Sequence, residues 1–231
     1  MRLEPARQYR ARDRRVRRSR SALLAAALRL VSERGTTAVP AADLADAADV
    51  SRRLIYLQFA DRESLLVEAA ADLIRRDLLP RVDEGDDSPA RVLAMTRHFA
   101  EHRSFYRAML TGSCSFAMTR TLRDVFRSVD ENALREHFGD HDTDTIEDLT
   151  TFVAAGIAAI VGNWLIEGED PLVPEELADR ILHLSVVFAG SRRIPGSPTR
   201  ARTPADQPHP ATTPPPDTSP SAAEPSAHRS E

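Results

Sequence analysis

Apolar residues recur at helical spacing through most of the chain between residues 18 and 190. The i, i+3, i+4, i+7 pattern places side chains on one face of an α-helix. No segment shows the sustained alternation of apolar and polar residues that is typical of half-buried strands. The sequence therefore predicts an all-α fold. In the first helix the pattern is formed by Leu24, Ala27, Leu28 and Val31.

The predicted helices follow the order long, short, short, long, and a larger helical region comes after them. We expect Gly35 to end the first helix as a C-cap, and Ser51 and Asp61 to cap the third and fourth helices. Two short helices joined by the turn AADVS have the shape of a helix-turn-helix, here over 40–59. The predicted bounds are about 18–34, 40–47, 52–58, a helix after Asp61, 89–102, 104–112, 115–137, 144–167 and 174–190.

The segment VSRRLIYLQF, residues 50–59, combines apolar anchors with polar side chains on one short helix. Val50, Ile55 and Phe59 are expected to hold this helix against its own domain. The other side chains would point outward, mostly in the first turns, where a recognition helix meets base edges. Taken alone, the stretch fits an amphipathic surface helix with solvated charges better, and the flanking helices and the basic N-terminal residues shift the preference to a recognition helix. The outward set is Arg52, Arg53, Leu54, Tyr56 and Gln58.

Each of these side-chain types suits a DNA surface. An arginine can bridge O6 and N7 of guanine with two hydrogen bonds. Leu54 can rest on a thymine methyl group, and the hydroxyl of Tyr56 suits a phosphate oxygen.

The first twenty residues are strongly basic. They contain nine arginines against Glu4 and Asp13, a formal net charge of +7, whereas the whole chain carries −4. Such a basic arm favours a polyanionic partner. We predict that residues 1–16 are disordered and that Arg17 and Arg18 contact DNA.

The C-terminal end has a different composition. Residues 195–231 contain ten of the sixteen prolines and no Leu, Val, Ile or aromatic residue. Because such a segment cannot bury enough apolar surface to offset its chain entropy, we predict a disordered tail. A proline-rich docking segment is the alternative.

A soluble, cytoplasmic protein is the expected class. The single cysteine, Cys114, cannot form an internal disulfide and fits a reducing compartment. The apolar segment 152–166 contains Asn163 and is shorter than the roughly 20 residues that a membrane span needs.

The sequence contains no convincing motif for a catalytic or metal site. His98 and His102 have the i, i+4 spacing of metal ligands, as do His137 and His141. Neither pair has the glutamate of a zinc-protease motif, because the residue after His98 is Phe99. There is no nucleophile elbow and no phosphate-binding glycine loop. We expect no enzymatic activity, no metal and no cofactor.

Four motifs together carry a family resemblance: SERGTTAV before the second helix, LADAADVS through the turn, YLQF at the end of the third helix and DRESLL at the start of the fourth. With them, residues 17–77 resemble the DNA-binding domain of a TetR-family transcriptional regulator. The resemblance implies a larger helical ligand-binding and dimerisation domain over 78–194. It also implies that a small molecule bound in that domain releases DNA.

Several positions depart from the family pattern. Asp49 tolerates the left-handed conformation better than most residues, so the turn should survive. Arg62 replaces the usual Lys and is expected to reach a phosphate from the start of the fourth helix. With phosphate contacts carried mainly by arginine, log K should fall by about 0.9 per neutralised phosphate per log unit of salt. The departures are Asp49 for Gly, Pro40 and Ala42 for a hydroxyl and a basic residue, Leu54 for a small residue, and Gln58 for His.

The larger helical region should hold a pocket for an effector of unknown identity. Each candidate lining residue has ordinary core packing as its alternative. The candidates are Phe99, His102, Phe105, Tyr106, Met109, Phe116 and Trp164, with Met118 and Phe152 as weaker ones.

The helices near 144–167 and 174–190 carry apolar stripes, and by resemblance they pair with their symmetry mates in a homodimer. A two-fold dimer predicts a palindromic double-stranded DNA operator. The favoured function is a ligand-responsive repressor. The alternative is a DNA-coating or partner-dependent protein of the same fold that senses no small molecule.

Overall fold

A computed structural model describes residues 4–85, 87–138 and 142–190, with side chains for 14–85, 87–127 and 142–188. Contacts divide the chain into residues 1–192 and residues 193–231, and the second unit lies outside the described residues, as does the predicted disordered tail. Within the described ranges the chain forms ten α-helices and one π-helical turn, without a β-strand. The prediction of an all-α fold is confirmed.

The helices have nearly the predicted bounds, apart from the start of the first. They are α1 Glu4–Arg34, α2 Ala41–Ala47, α3 Arg52–Phe59, α4 Arg62–Leu73, a π-helical turn Ile74–Leu78, α5 Leu79–Asp83, α6 Ser88–Glu101, α7 Arg103–Thr111, α8 Ser115–Phe138, α9 Thr143–Glu167 and α10 Pro174–Gly190.

The prediction of a disordered arm over 1–16 was wrong for most of its length, because α1 begins at Glu4. Pro5 stands in the first turn, where its missing N–H leaves no hydrogen bond unmade. The rest of α1 contains no glycine and is rich in arginine and alanine, which favour helix. Gly35 then ends the helix with φ +61°, and its N–H donates to the carbonyl of Val31 at 2.9 Å, as predicted for a C-cap.

The helices α1–α4 form the part of the molecule that we call the head. In it, α1 packs against α2 and α4, and α3 packs against α2 and α4. Asp61 caps α4 as predicted, since its carboxylate accepts a hydrogen bond from the N–H of Ser64 at 2.7 Å. Ser51 precedes α3 but makes no side-chain cap. The fully buried residues of the head include Leu23, Val31, Leu44, Ile55, Leu65 and Leu66.

The helices α6–α10 form the body. Here α9 runs along α8 and contacts α7, and α10 lies against α6. Asp87 and Asp142 cap α6 and α9 through hydrogen bonds from Ala90 and Thr145. The buried aromatic and methionine side chains of the described part of the body are Met95, Phe99, Phe105, Tyr106, Met109, Met118 and Phe126.

Helix α9 buries a face rich in small residues, among them Ala154, Ala158 and Gly162. Small side chains allow neighbouring helices to approach closely. Most of the larger residues in the predicted apolar stripe stay half-buried, and they are Leu149, Val153, Ile157, Ile160 and Trp164.

Among the described residues, one helix, α9, is long and apolar enough to cross a membrane. The core helix of a soluble protein meets the same criterion. Because α9 contributes seven buried residues to the fold, we assign it to the protein core.

The head meets the body through α1 on α7 and α4 on α8, and also where the loop after α1 contacts the turn between α7 and α8. Thr37 is buried there, and its hydroxyl oxygen accepts a hydrogen bond from the N–H of Ser113 at 3.2 Å. A Cβ added at Gly112 would overlap that same oxygen. The two parts are therefore in close contact at a position where a side chain larger than glycine does not fit.

Candidate nucleic-acid interface

The turn between α2 and α3 has the geometry that the sequence predicts. Asp49 lies in the left-handed region with φ +51°. The N–H of Asp49 donates to the carbonyl of Asp46 at 3.1 Å, and the N–H of Val50 donates to that of Ala45 at 3.0 Å. The prediction that Asp49 replaces glycine in a left-handed turn is confirmed.

Helix α3 is held to the head by the predicted apolar residues. Ile55 is fully buried, Phe59 is nearly so, and Val50 is half-buried. Arg52 and Arg53 are exposed, and Tyr56 is 50% exposed. Three members of the predicted outward set therefore share the solvent-facing side of α3.

Two other predicted members are placed differently. Leu54 is half-buried. Gln58 turns inward: both atoms of its side-chain amide are buried and have no hydrogen-bond partner in the described part of the chain. The outward position predicted for Gln58 was wrong, because it lies next to the buried Phe59 at the end of α3, where Arg20 of α1 contacts both residues.

Leu57 is an exposed residue that the sequence reasoning missed. Its side chain is 67% exposed. It lies four residues after Arg53, which places both on one helix face. The sequence could have indicated this exposure, because Leu57 has the spacing of Arg53 and does not share the helix face of Ile55 and Phe59.

Arg20 holds the C-terminal end of α3. Its guanidinium lies 4.4 Å from the centre of the Phe59 ring, donates to the backbone carbonyl of Gln58 at 3.3 Å and pairs with Glu68 at 3.1 Å. A cation at a helix C-terminus also interacts favourably with the helix dipole. Arg20 is thus a positioning residue for α3, although the sequence grouped it with the basic arm.

The other predicted DNA contacts flank α3 in sequence. Arg17 and Arg18 are exposed on α1. Arg62 is half-buried at the start of α4, 3.5 Å from Glu63. Within the described part of the chain, Arg17, Arg18, Arg52 and Arg53 form no side-chain ion pair or hydrogen bond.

In the body, four of the seven candidate pocket residues lie in one buried cluster. The rings of Phe99 and Tyr106 are 4.9 Å apart, and those of Phe105 and Tyr106 are 5.6 Å apart. Met109 is buried on the same helix as Tyr106. His102 and Trp164 are half-buried, whereas Phe116 is 82% exposed. Phe116 is therefore not part of a buried pocket lining, because the start of α8 leaves it facing solvent.

His98 belongs to this cluster, although it was not among the candidate pocket residues. Its Nε2 lies 2.8 Å from the hydroxyl oxygen of Tyr106. Burial, with smaller effects from His102 and Arg81, lowers the pKa of His98 to about 3, and burial raises the pKa of Tyr106. His98 is therefore neutral at physiological pH.

No group of three His, Cys, Asp or Glu side chains that could hold a metal occurs among the described residues. The predicted pair His137 and His141 lies outside the described side chains.

Comparison with protein families gives two matches. A sequence profile of bacterial regulatory proteins of the tetR family matches residues 23–69, which span most of the head. A profile of a transcriptional regulator C-terminal region matches residues 86–186, which span the body. No curated protein matches the chain.

Solved structures share the fold. The fatty acid degradation regulator FadR from Bacillus halodurans has a TM-score of 0.53 at 16% identity, covering 75% of this chain and 99% of that one. The TetR-family repressor AlkX from Dietzia sp. has a TM-score of 0.51 at 17% identity, covering 74% and 95%. At such identities the likeness concerns the fold. The two profiles, which match the head and the body in order, place this chain in the TetR family of transcriptional regulators.

Proposed function

We propose that this protein is a ligand-responsive transcriptional repressor that binds a palindromic operator as a homodimer. The observation that supports this proposal best is the exposure of Arg52, Arg53 and Tyr56 on α3. The buried residues Ile55 and Phe59 hold the same helix to the head. In this proposal residues 17–77 form the DNA-binding domain and residues 78–194 the effector and dimerisation domain. The setting is the cytoplasm, and no cofactor is needed.

Base reading is assigned to the first turn of α3. Arg52 and Arg53 are exposed there and have no carboxylate partner among the described side chains, so their guanidinium groups are available to guanine edges. Leu57 and Leu54 offer apolar contact to thymine methyl groups. Tyr56 is suited to a phosphate, which positions the helix without reading sequence.

Phosphate contacts outside α3 are assigned to Arg17, Arg18 and Arg62. The first two are exposed on α1, and Arg62 begins α4, so its side chain is available once it exchanges Glu63 for a phosphate. A surface pair of this kind is worth only about 0–1 kcal/mol, so the exchange is inexpensive. Strong salt dependence of binding follows from these contacts.

Dimerisation is assigned to α9 and α10. Phe152 on α9 is 63% exposed and Val186 on α10 is 69% exposed. The rings of Phe152 and Phe188 lie 5.9 Å apart, so the two helices present one apolar surface. Exposed apolar residues that cluster in this way are typical of protein contact surfaces. A second copy is the proposed occupant, because two identical recognition helices would then read a two-fold operator.

Effector binding is assigned to the body, in the cluster around Tyr106. FadR is named for fatty acid degradation and AlkX for biodegradation of n-alkanes. Those names do not transfer at 16–17% identity, so the chemistry of the effector has to come from this chain's own residues.

Selection of random DNA duplexes with the purified full-length protein at moderate salt tests the proposal. Sequencing of the bound pool should show an enriched palindrome, and the protein should elute as a dimer. Binding without any enriched motif would reject sequence-specific regulation. It would favour the DNA-coating alternative, in which the arginines of α1 supply the affinity.

A further inference from the structure

Two buried side-chain nitrogens of the body have no hydrogen-bond partner among the described residues, Nε of Arg91 and Nδ1 of His98. His98 is fully buried, and its Nδ1 makes no hydrogen bond to any described group. Its Nε2 is satisfied by Tyr106. The nearby Thr96 is also buried, but its hydroxyl donates to the carbonyl of Leu93 at 3.1 Å and so does not serve His98.

The hydrogen-bonding capacity of His98 and Tyr106 together determines whether Nδ1 of His98 is a donor or an acceptor. A neutral imidazole carries one proton, and the Tyr106 hydroxyl has one to donate. If Tyr106 donates to Nε2, the imidazole proton is on Nδ1 and a single N–H is unpaired. If Nε2 donates to Tyr106, both Nδ1 and the Tyr106 O–H are unpaired. Because each buried unpaired group costs about 1–3 kcal/mol, the first arrangement is favoured and Nδ1 is a donor.

The surroundings of this donor are apolar and uncharged. The rings of Phe99 and His102 lie 5.5 and 4.9 Å from that of His98. The two charged groups that lie closest to these rings have partners of their own: Arg81 binds Glu101 at 2.8 Å, and the carboxylate of Asp77 lies 3.8 Å from Nε of Arg76. Because Arg81 is held by Glu101, a carboxylate brought to His98 would have to displace that pair or stay unpaired, and burying an unpaired charge is strongly unfavourable.

A second feature of the backbone meets the same cluster. Asp77 belongs to the π-helical turn Ile74–Leu78, which packs against α6. π-Helical turns in otherwise α-helical segments frequently occur at functional sites. The turn therefore brings an irregular backbone segment to His102, whose ring lies 4.9 Å from that of His98.

The cluster is also connected to the head through α7. Tyr106 lies on α7, and α7 ends at Gly112, whose N–H donates to Ala108 at 3.0 Å. Gly112 and Ser113 contact Thr37 in the loop that leads into α2. A molecule that separates α6 from α7 would move this contact.

We propose that the effector is an uncharged, mainly apolar molecule whose carbonyl oxygen accepts the hydrogen bond of His98 Nδ1–H. This inference rests on the proposed function and names the chemistry of its effector. The apolar part of the molecule packs among Phe99, Phe105 and Met109. Its entry shifts α7, and the contact of Gly112 with Thr37 passes the shift to the recognition helix.

Nitrogen-15 NMR of the full-length protein, labelled at its histidines, tests this chemistry with three probes. Acetophenone carries the carbonyl, α-methylstyrene has the same shape without an acceptor, and benzoate has a charge. The variant His98→Gln assigns the His98 signals, and His183→Gln, on exposed α10, is its matched control.

Acetophenone should shift the Nδ1–H signal of His98 and bind about tenfold more tightly than α-methylstyrene, the ratio that one hydrogen bond supplies. Equal shifts with both probes, no shift with acetophenone, or preferential binding of benzoate would overturn the proposal. These measurements use no DNA, so their result on the effector is independent of the result of the operator selection. A protein that selects an operator but ignores acetophenone keeps the proposed function and loses this inference.

Discussion

Three arginines outside the head differ in their pairing from the two arginines of the recognition helix. Arg81 on α5, and Arg97 and Arg127 in the body, each lie within 3 Å of a carboxylate from another helix. On α3, Arg52 and Arg53 have no such partner among the described residues. Exposed ion pairs contribute about 0–1 kcal/mol each, so these pairs are worth little stability. The absence of pairing on α3 matters more, because it leaves two cations available to an external polyanion.

The backbone at the ends of the helices shows a similar contrast. In the body, α6 and α9 begin with regular aspartate caps. In the head, α3 lies between two residues with positive φ, Asp49 at +51° and Ala60 at +63°. Strained non-glycine residues tend to occur at functional positions, where the surrounding structure holds them. The backbone strain at Asp49 and Ala60 therefore lies at the two ends of α3, where it helps to set the orientation of that helix.

The largest effect should come from the anchor that holds α3. Phe59→Ala should lower the free energy of unfolding by about 3–5 kcal/mol, because it removes a buried aromatic side chain and the ring on which Arg20 stacks. The control is Phe116→Ala, an equal truncation of an exposed side chain in the body, which should change stability by less than about 0.5 kcal/mol. Urea denaturation followed by circular dichroism measures both. Similar losses for the two variants would contradict the described packing.

The next effect concerns DNA reading. Arg53→Ala should reduce the preference for operator over random DNA by about 1–3 kcal/mol, the discrimination typical of one bidentate contact. Arg180→Ala removes the same charge from an exposed position on α10 and should leave the preference unchanged. Competition binding at fixed salt measures both variants. Equal losses would show that charge alone, and not position on α3, determines the contribution of Arg53.

Most of the fold could be predicted because local patterns determine it. Apolar spacing and caps such as Gly35 and Asp61 set the helix bounds within a residue, apart from the start of α1. The inward turn of Gln58 could not be predicted, since it depends on packing against helices that are distant in sequence. The contacts of Arg20 could not be predicted for the same reason, because its partners Gln58 and Glu68 lie 38 and 48 residues away in sequence.

The body was harder to interpret from sequence. Aromatic residues at helical spacing indicate a core, but they do not show which of them meet. Phe116 follows the turn after Ser113 and faces solvent, whereas Phe105 and Tyr106 are buried side by side. His98 and Tyr106 pair across the junction of α6 and α7, a contact that no spacing rule within one helix identifies.

The junction between head and body gives the third prediction. Gly112→Ala should lower stability by about 1–3 kcal/mol, because the new methyl group overlaps the hydroxyl of Thr37. Combining it with Thr37→Ala should recover part of this loss, since the overlapping oxygen is removed. Thermal unfolding of both single variants and the double variant measures the coupling. Strictly additive losses would show that the two residues do not compete for space.

A substitution at Ala60 should relieve the backbone strain at the end of α3. Ala60→Gly should raise stability by about 1 kcal/mol, because glycine adopts positive φ without the steric cost that alanine carries. The N–H of Asp61 donates to the carbonyl of Phe59 at 2.7 Å across this residue, so the backbone bond is retained. Ala25→Gly, at an exposed position in the interior of α1, is the control and should lower stability by a similar amount. A loss in both variants would mean that Ala60 is not strained.

The smallest effect is a pH dependence in the head. Hydrogen bonds from Ser64 lower the pKa of Asp61 below its usual value of 3.8. A carboxyl group whose pKa is lower in the folded state than in the unfolded state stabilises the protein above the unfolded pKa. That stabilisation is lost as the pH falls below about 4 and through the folded pKa. Because Asp61 is exposed, the total should not exceed the roughly 1 kcal/mol of an N-cap. Asp61→Asn keeps a cap acceptor without the charge, so its unfolding free energy should decline less than that of the unmodified protein between pH 5 and pH 3. Parallel decline of the two would show that the cap of α4 does not depend on the ionised carboxylate.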